Sequence, residues 1–162
     1  MRNVGVFVDI SNLYHCVGKK FLNRKLDYSK LRDLIIGEDI LFRAIAYGVQ
    51  TSNEASKFIE RLRRFGYEPK YKQVRIIQIG DEEPKYIKTN WNVGMTLDVI
   101  SMIEKLDIIV ICSSDPELVP LVEFIKARGL KCVIASAGIS RDLRIAASSY
   151  IELDETVLEE QQ

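Results

Sequence analysis

Residues 4–12 read VGVFVDISN. Residues 4–8 carry no polar side chain and are followed at once by an aspartate, Asp9. Two later runs have the same character, DIIVIC at 107–112 and KCVIA at 131–135. Continuous apolar runs of this length are typical of strands that are buried on both faces of a parallel sheet. Helix-spaced patterns separate these runs. We therefore predict an α/β fold of three layers, with a central, mostly parallel sheet flanked by helices.

The remaining patterns complete the order of elements along the chain. We predict strands at 4–8, 40–49, 67–79, 107–112, 131–135 and 150–153, with a turn at 80–84 and a short return strand at 86–88. We predict helices at 27–36, 52–65 (with Ser52 as its cap), 92–106, 116–128 and 141–147. No linker or internal repeat is visible, so the 162 residues are expected to form a single domain, 1–162, with an acidic tail from about 154.

Composition excludes several classes of protein. The 23 basic and 23 acidic residues cancel, so no global field draws the chain onto nucleic acid. No apolar run approaches the roughly 20 residues that span a bilayer, and we expect a cytoplasmic protein without a membrane partner. Cys16, Cys112 and Cys132 form no C-x-x-C pair and are expected to be reduced. His15, the single histidine, is expected on a helix surface and excludes a site that needs two histidines.

Three acids occupy positions of chemical interest. Asp9 follows the first strand, Asp115 follows the 107–112 strand after Ser113 and Ser114, and Asp98 lies within the helix between them. Ligands of parallel sheets bind beyond the carboxyl ends of the strands, where the strand order reverses. If the first strand and the 107–112 strand are neighbours there, Asp9 and Asp115 meet at one edge. Each acid alone also suits a helix cap, since Asp115 precedes a proline and Asp9 precedes a predicted turn.

Asp98 is the only charged residue between Thr89 and Ile103. A carboxylate on an apolar helix is costly unless it is paired or binds a metal. The sequence leaves two interpretations open, a metal ligand or the partner of a lysine or arginine.

A cluster of carboxylates needs a cation to offset its mutual repulsion. Mg²⁺ prefers oxygen ligands and binds substrate phosphates through retained waters. Such a cation orients a water for phosphodiester hydrolysis. No G-x-G-x-x-G or G-x-x-x-x-G-K motif is present, which argues against dinucleotide and P-loop sites.

Four segments resemble the NYN domain, specifically the LabA-like group of the PIN-like nuclease superfamily. VDISN at 8–12 resembles that family's strand followed by D-x-x-N, and NWNVGMTLD at 90–98 resembles its central helix. SSDPELVPL at 113–121 resembles its S-G-D-x-D-F-x-P-L signature, and 129–153 resembles its closing strand, helix and strand. The resemblance covers nearly the whole chain.

The resemblance implies a PIN-like fold and an Mg²⁺- or Mn²⁺-dependent endoribonuclease acting on RNA. It implies that Asp9, Asp98 and Asp115 are the catalytic metal ligands and that Glu117 is an outer ligand. Asn12 would support the site through a hydrogen bond. The chain departs from the family at three positions of the site: Asn92 replaces a frequent aspartate, Ser114 replaces a glycine, and Glu117 replaces an aspartate.

Two other functions stay open at this point. One is a catalytically weak or inactive module that binds RNA or protein on the same fold, favoured by Asn92 and the zero net charge. The other is a receiver-like phosphoacceptor, which the position of Lys131 at the start of its strand disfavours. Phosphate contacts are expected from Lys88, Arg141 and Arg144 if they ring the acids. The sequence leaves a homodimer open, with the acidic tail or the 80–87 hairpin as its interface.

Overall fold

The structure is a computed structural model that describes residues 1–50, 55–87 and 89–161. Its strands are β1 (Asn3–Asp9), β2 (Ile40–Gln50), β3 (Glu68–Gln73), β4 (Arg75–Ile77), β5 (Lys85–Ile87), β6 (Ile108–Cys112), β7 (Lys131–Ser136) and β8 (Ser149–Glu152). Its helices are α1 (Ile10–Lys20), α2 (Tyr28–Ile36), α3 (Ser56–Arg64), α4 (Asn92–Met102), α5 (Val119–Ala127) and α6 (Arg141–Ala146). Single 3₁₀ turns occur at Ile103–Lys105, Pro116–Leu118 and Glu155–Val157.

Six strands form the central sheet in the order β3-β2-β1-β6-β7-β8, and every one of these pairings is parallel. From β1 the chain builds the sheet first toward β3 and then, after β6, toward β8. The strand order therefore reverses between β1 and β6, as the positions of Asp9 and Asp115 required. Val8 pairs with Cys112, so the residues that follow these two strands emerge side by side. The predicted α/β fold is confirmed.

Alternate residues of the central strands supply two separate cores. Val4, Val6 and Val8 of β1 face a core that α1, α2 and α3 cover, while Phe7 faces a core that α4, α5 and α6 cover. The same alternation holds along β6. Both faces of the central strands are thus buried, which explains why their sequences are continuously apolar rather than alternating. The three layers follow directly from this burial.

Several predicted boundaries differ from the structure. The predicted strand 67–79 divides into β3, which joins the sheet, and β4, which pairs antiparallel with β5 as a hairpin. The helix predicted at 92–106 ends at Met102 and continues as a 3₁₀ turn. The helix predicted at 116–128 begins as a 3₁₀ turn, with α5 starting only at Val119. Ser52, the predicted cap of α3, lies outside the described residues.

The acidic tail is part of the body rather than a free extension. Val157 and Leu158 are buried against the first core, and Leu158 forms a bridge with Leu26. Cys112 and Cys132 are buried and unpaired, as expected, and Cys16 is half-buried and unpaired. No helix within 1–50, 55–87 and 89–161 is both long and apolar enough to cross a membrane.

Candidate metal centre

Two acids reach the edge of the sheet because each begins the element that follows its strand. Asp9 is the N-cap of α1, and its Oδ1 accepts a hydrogen bond from the Asn12 backbone N–H at 3.1 Å. Asp115 is the N-cap of the 116–118 turn, and its Oδ1 accepts from the Glu117 N–H at 2.9 Å. Capping and convergence are therefore compatible, because an ionised carboxylate has about four acceptor sites and capping occupies only one oxygen of each acid.

A cavity of about 750 Å³ lies over the ends of β1 and β6. We call it the acidic cavity. Its lining residues are Asp9, Ser11, Asn12, His15, Cys16, Val49, Thr89, Asn90, Trp91, Ser114, Asp115, Pro116 and Glu117. Its size falls in the range of ligand-binding pockets.

The electrostatics of the acidic cavity are set by burial and by the second acid. Asp9 is only 8 % exposed. Burial raises the pKa of Asp9, and the charge of Asp115 raises it further, while hydrogen bonds from Asn12 and Ser11 oppose these effects. The native protein without a bound cation thus disfavours the Asp9 carboxylate. A cation between the two acids would reverse this preference.

Asn12 links the two halves of the acidic cavity. Its Oδ1 accepts a hydrogen bond from the Ser114 backbone N–H at 2.9 Å, which joins α1 to the segment after β6. The Ser114 hydroxyl in turn donates to the Gly138 carbonyl at 2.9 Å and accepts from the Ser140 N–H at 2.9 Å. These contacts hold the loop that carries Asp115. The supporting hydrogen bond expected from Asn12 is made to this loop.

Asn92 contacts the site directly. Its Nδ2 donates to Asp115 Oδ2 at 2.9 Å, while its Oδ1 is buried and has no hydrogen-bond partner among the described residues. An aspartate here would place a third negative charge against Asp115. The amide supplies a hydrogen-bond donor instead, so Asn92 orients the Asp115 side chain without adding a charge.

The structure places Asp98 elsewhere. Its Oδ2 accepts from the Tyr47 hydroxyl at 2.7 Å and pairs with Lys70 Nζ at 2.7 Å. It is not among the lining residues of the acidic cavity. The structure shows the ion pair that the sequence left open for Asp98, and its role as a metal ligand stays a prediction.

Two of the three expected phosphate-binding residues, Arg141 and Arg144, do not line the acidic cavity. Arg144 donates to the Ile139 carbonyl and pairs with Glu152 at 2.9 Å. Arg141 is exposed at the start of α6 and does not line the cavity. Lys88 lies outside the described residues.

Trp91 and His15 are among the lining residues that were not singled out from the sequence as site residues. Trp91 forms one wall of the acidic cavity, held by a hydrogen bond from its Nε1 to the Gly48 carbonyl at 2.8 Å and by contact with the Tyr47 ring. His15 is an exposed helix residue, as expected, but it also lines the acidic cavity. Helical spacing carried a signal for it, since His15 lies one turn after Asn12 on α1.

The donor chemistry fits a hard divalent cation. Within residues 1–50, 55–87 and 89–161, no three acidic, histidine or cysteine side chains form a ready metal-binding group. Mg²⁺, however, is commonly bound through one or two carboxylates and keeps several waters. Asp9 and Asp115 supply those carboxylates, and the exposed Glu117 lies at the rim. No histidine pair or cysteine cluster competes for a softer metal.

The parallel sheet, its switch point between β1 and β6, and the acids at that point define the PIN-like class of α/β fold. The chain belongs to the NYN domain family, whose model matches residues 3–154. This family lies within the PIN-like nuclease superfamily, whose members generally use divalent metals.

One solved structure resembles the whole chain. It is a protein of unknown function from Vibrio parahaemolyticus, with 25% identity, a TM-score of 0.84, and coverage of 98% of this chain and 96% of that chain. Phosphofructokinase-2 from Escherichia coli matches with 13% identity and a TM-score of 0.39, over 74% of this chain and 43% of that chain. No curated protein matches the chain.

Proposed function

We propose that the protein is a divalent-cation-dependent endoribonuclease that cleaves RNA phosphodiester bonds at the acidic cavity. One observation carries the proposal: Asp9 and Asp115 line a single cavity at the switch point of a parallel sheet. Membership of the NYN domain family supports it. The LabA-like group and a cytoplasmic location belong to the same proposal.

Each residue has a role that follows from its contacts. Asp9 and Asp115 would hold the cation, and Glu117 would hold a water at the rim. Asn92 orients the Asp115 side chain through the hydrogen bond from its Nδ2. When bound, Mg²⁺ or Mn²⁺ would orient the attacking water and stabilise the leaving oxygen. Asp98 keeps its ion pair with Lys70 and acts as a structural residue.

The test combines cation binding with cleavage. Mn²⁺ is titrated into the wild type and into Asp9→Asn and Asp115→Asn, following heat release, and cleavage of a labelled single-stranded RNA is measured in the same samples. Asp81→Asn, an exposed acid in the hairpin turn, is the matched control. We expect binding and cleavage to be lost together in the two cavity variants and retained in the control. Full cleavage by Asp9→Asn would overturn the proposal.

A second function has its own supporting observation. Among the described residues, no lysine or arginine lines the acidic cavity, and the nearest cation placed by its contacts is Lys72, which reaches the lining residues Asn90 and Trp91 from outside. On this alternative the chain is a regulatory module that binds RNA or protein without useful turnover. It predicts RNA binding that persists in Asp9→Asn and no cleavage by the wild type with either cation.

A further inference from the structure

A second cavity, of about 640 Å³, lies on the other side of α1. We call it the aromatic cavity. It is lined by Ile10, Ser11, Tyr14, Val17, Arg24, Lys25, Leu26, Tyr28, Val49, Phe58, Arg61 and Glu159. Its lining combines three aromatic rings with three cationic side chains, a composition that the acidic cavity lacks.

The two cavities are adjacent. Ser11 and Val49 line both of them. The first turns of α1 form the ridge between them: Asn12 and His15 face the acidic cavity, while Tyr14 and Val17 face the aromatic one. A flexible chain that passes over Ser11 would therefore contact both.

Tyr14 is the exposed aromatic residue of this surface. Its side chain is 71 % exposed, whereas Tyr28 is buried and packs edge-on against Phe58 with ring centroids 5.5 Å apart. An exposed ring beside a cavity offers a stacking face to a planar ligand. Single-stranded nucleic acids use such faces without regard to sequence, because every base has a π-face.

The cations of the aromatic cavity are free or weakly held. Lys25 is exposed and makes no ion pair among the described residues. Arg24 reaches the Glu159 carbonyl at 3.3 Å and Glu155 only at 3.8 Å. Arg61 pairs with Glu159 at 2.9 Å, but its side chain is 51 % exposed, so the pair is weak in water. A phosphate group could replace these contacts at low cost.

We propose that the aromatic cavity is a subsite for single-stranded RNA, in which Tyr14 stacks on a nucleobase and Lys25, Arg24 and Arg61 hold an adjacent phosphate. The proposal rests on the proposed function, because it supplies basic contacts that no described lining residue of the acidic cavity provides. The strand then runs over Ser11 to the acids.

The test measures RNA binding in the absence of any divalent cation. Fluorescence anisotropy of a labelled single-stranded RNA is recorded in EDTA for the wild type, Tyr14→Ala and Tyr14→Phe. The control is Tyr86→Ala, because Tyr86 is also 71 % exposed and lines neither cavity. We expect roughly tenfold weaker binding for Tyr14→Ala and near-wild-type binding for the other two. Equal affinity of Tyr14→Ala and wild type would overturn the subsite.

Two further measurements test the phosphate contact of Lys25 and whether the ligand is a strand or a single nucleotide. Lys25→Ala should make binding less salt-dependent, lowering the slope of log K against log salt by about one. A mononucleotide titrated as competitor should displace the RNA only weakly, since it fills one subsite. Displacement at the concentration of RNA itself would instead indicate a small-nucleotide site and overturn the strand-binding proposal.

The outcome is independent of catalysis. In EDTA, Tyr14→Ala should weaken RNA binding by the same factor in the Asp9→Asn background as in the wild type, because the aromatic cavity is untouched by the change at Asp9. A wild type that binds RNA through Tyr14 but never cleaves it would refute the proposed function and leave the subsite standing. Cleavage that is indifferent to Tyr14→Ala, with unchanged binding, would do the reverse.

Discussion

Asp9 is the N-cap of α1 and also lines the acidic cavity together with Asp115. The two roles pull its ionisation in opposite directions. Backbone N–H groups favour the carboxylate, whereas burial and the charge of Asp115 disfavour it, and the net result is a raised pKa. A buried carboxylate lowers the stability of a protein that lacks a cation, and a bound cation would offset that loss. Such a carboxylate is typical of binding sites rather than of packed cores.

The raised pKa of Asp9 gives a prediction about acid and neutral pH. The native metal-free protein binds the Asp9 proton more tightly than the unfolded chain, so protonated Asp9 contributes to the stability of the fold. This contribution is fully present below the ordinary pKa of 3.8 and is lost as pH rises through the raised pKa. Asp9→Asn lacks this loss but keeps an oxygen to cap α1. We expect the variant in EDTA to equal or exceed the wild type in stability at neutral pH, measured by urea unfolding. A clear loss of stability would contradict the assigned cause of the shift.

Asp98 gives a second prediction at this scale. Asp98→Asn removes the charge that Lys70 pairs with, so we expect a loss of about 1–2 kcal/mol in the free energy of unfolding. Mn²⁺ affinity should not change. Urea unfolding and calorimetric titration check the two halves, and Lys70→Met in a double-mutant cycle isolates the pair. Lost Mn²⁺ binding with an unchanged urea midpoint would place Asp98 among the metal ligands.

At the scale of elements, one carboxylate joins β8, α1 and the turn after β7. Glu152 accepts from the Gly138 and Ile139 backbone N–H groups and pairs with Lys20 and Arg144. Burial tends to raise the pKa of Glu152, but these hydrogen bonds and the charge of Lys20 outweigh it and lower the pKa to about 2. Because Ser114 is hydrogen-bonded to the same turn, Glu152 supports the acidic cavity from outside.

The lowered pKa of Glu152 predicts how the protein responds to acid. Stability from this group is fully present above its ordinary value of 4.5 and is lost as pH falls toward about 2. We expect Glu152→Gln to be less stable than the wild type at neutral pH and the difference to shrink on acidification. Thermal unfolding across the acid range measures this. Glu155→Gln is the control, since Glu155 is 76 % exposed with only a 3.8 Å pair; an equal effect there would contradict the prediction.

At the scale of the whole molecule, the sheet and its two cores bring together residues from opposite halves of the chain. Val8 of β1 pairs with Cys112 of β6, and Asn12 bonds to Ser114 across the same junction. Cation binding at this junction is expected only in the folded state, because Asp9 and Asp115 are far apart in the unfolded chain. Binding and folding are therefore linked.

This linkage predicts a cation-dependent stability. Mn²⁺ should raise the free energy of unfolding of the wild type by about 2.7 kcal/mol at a cation concentration of 100 times its Kd. Asp9→Asn should show little of this gain, and Asp81→Asn all of it. Chemical unfolding at increasing Mn²⁺ tests the prediction. Equal stabilisation of all three proteins would mean that the cation binds elsewhere.

Much of the fold could be read from local patterns. Apolar runs placed the central strands, and Asp9 and Asp115 were expected at one edge because strands of a parallel sheet align their carboxyl ends. The predicted bounds of the strand at 67–79 and of the helix at 116–128 were wrong, because the ends of helices and strands depend on packing as much as on propensity. Local patterns also gave no sign of the ion pair that Arg144 makes, since its partner Glu152 is brought to the turn after β7 only once β8 has docked.

The sequence by itself determined the central strands and the places of Asp9 and Asp115 close after two of them, because hydrophobic period and capping chemistry are properties of short segments. Only the tertiary structure made those two strands neighbours, and only it decided the contacts of Asp98. The partners of Asp98 come from β2 and β3, distant in sequence, and a charge on an apolar helix face accepts whichever donor the fold brings near. Tertiary packing likewise decided that Tyr14 borders a cavity next to the acidic cavity, because that cavity is enclosed by α1, α3 and the docked tail together.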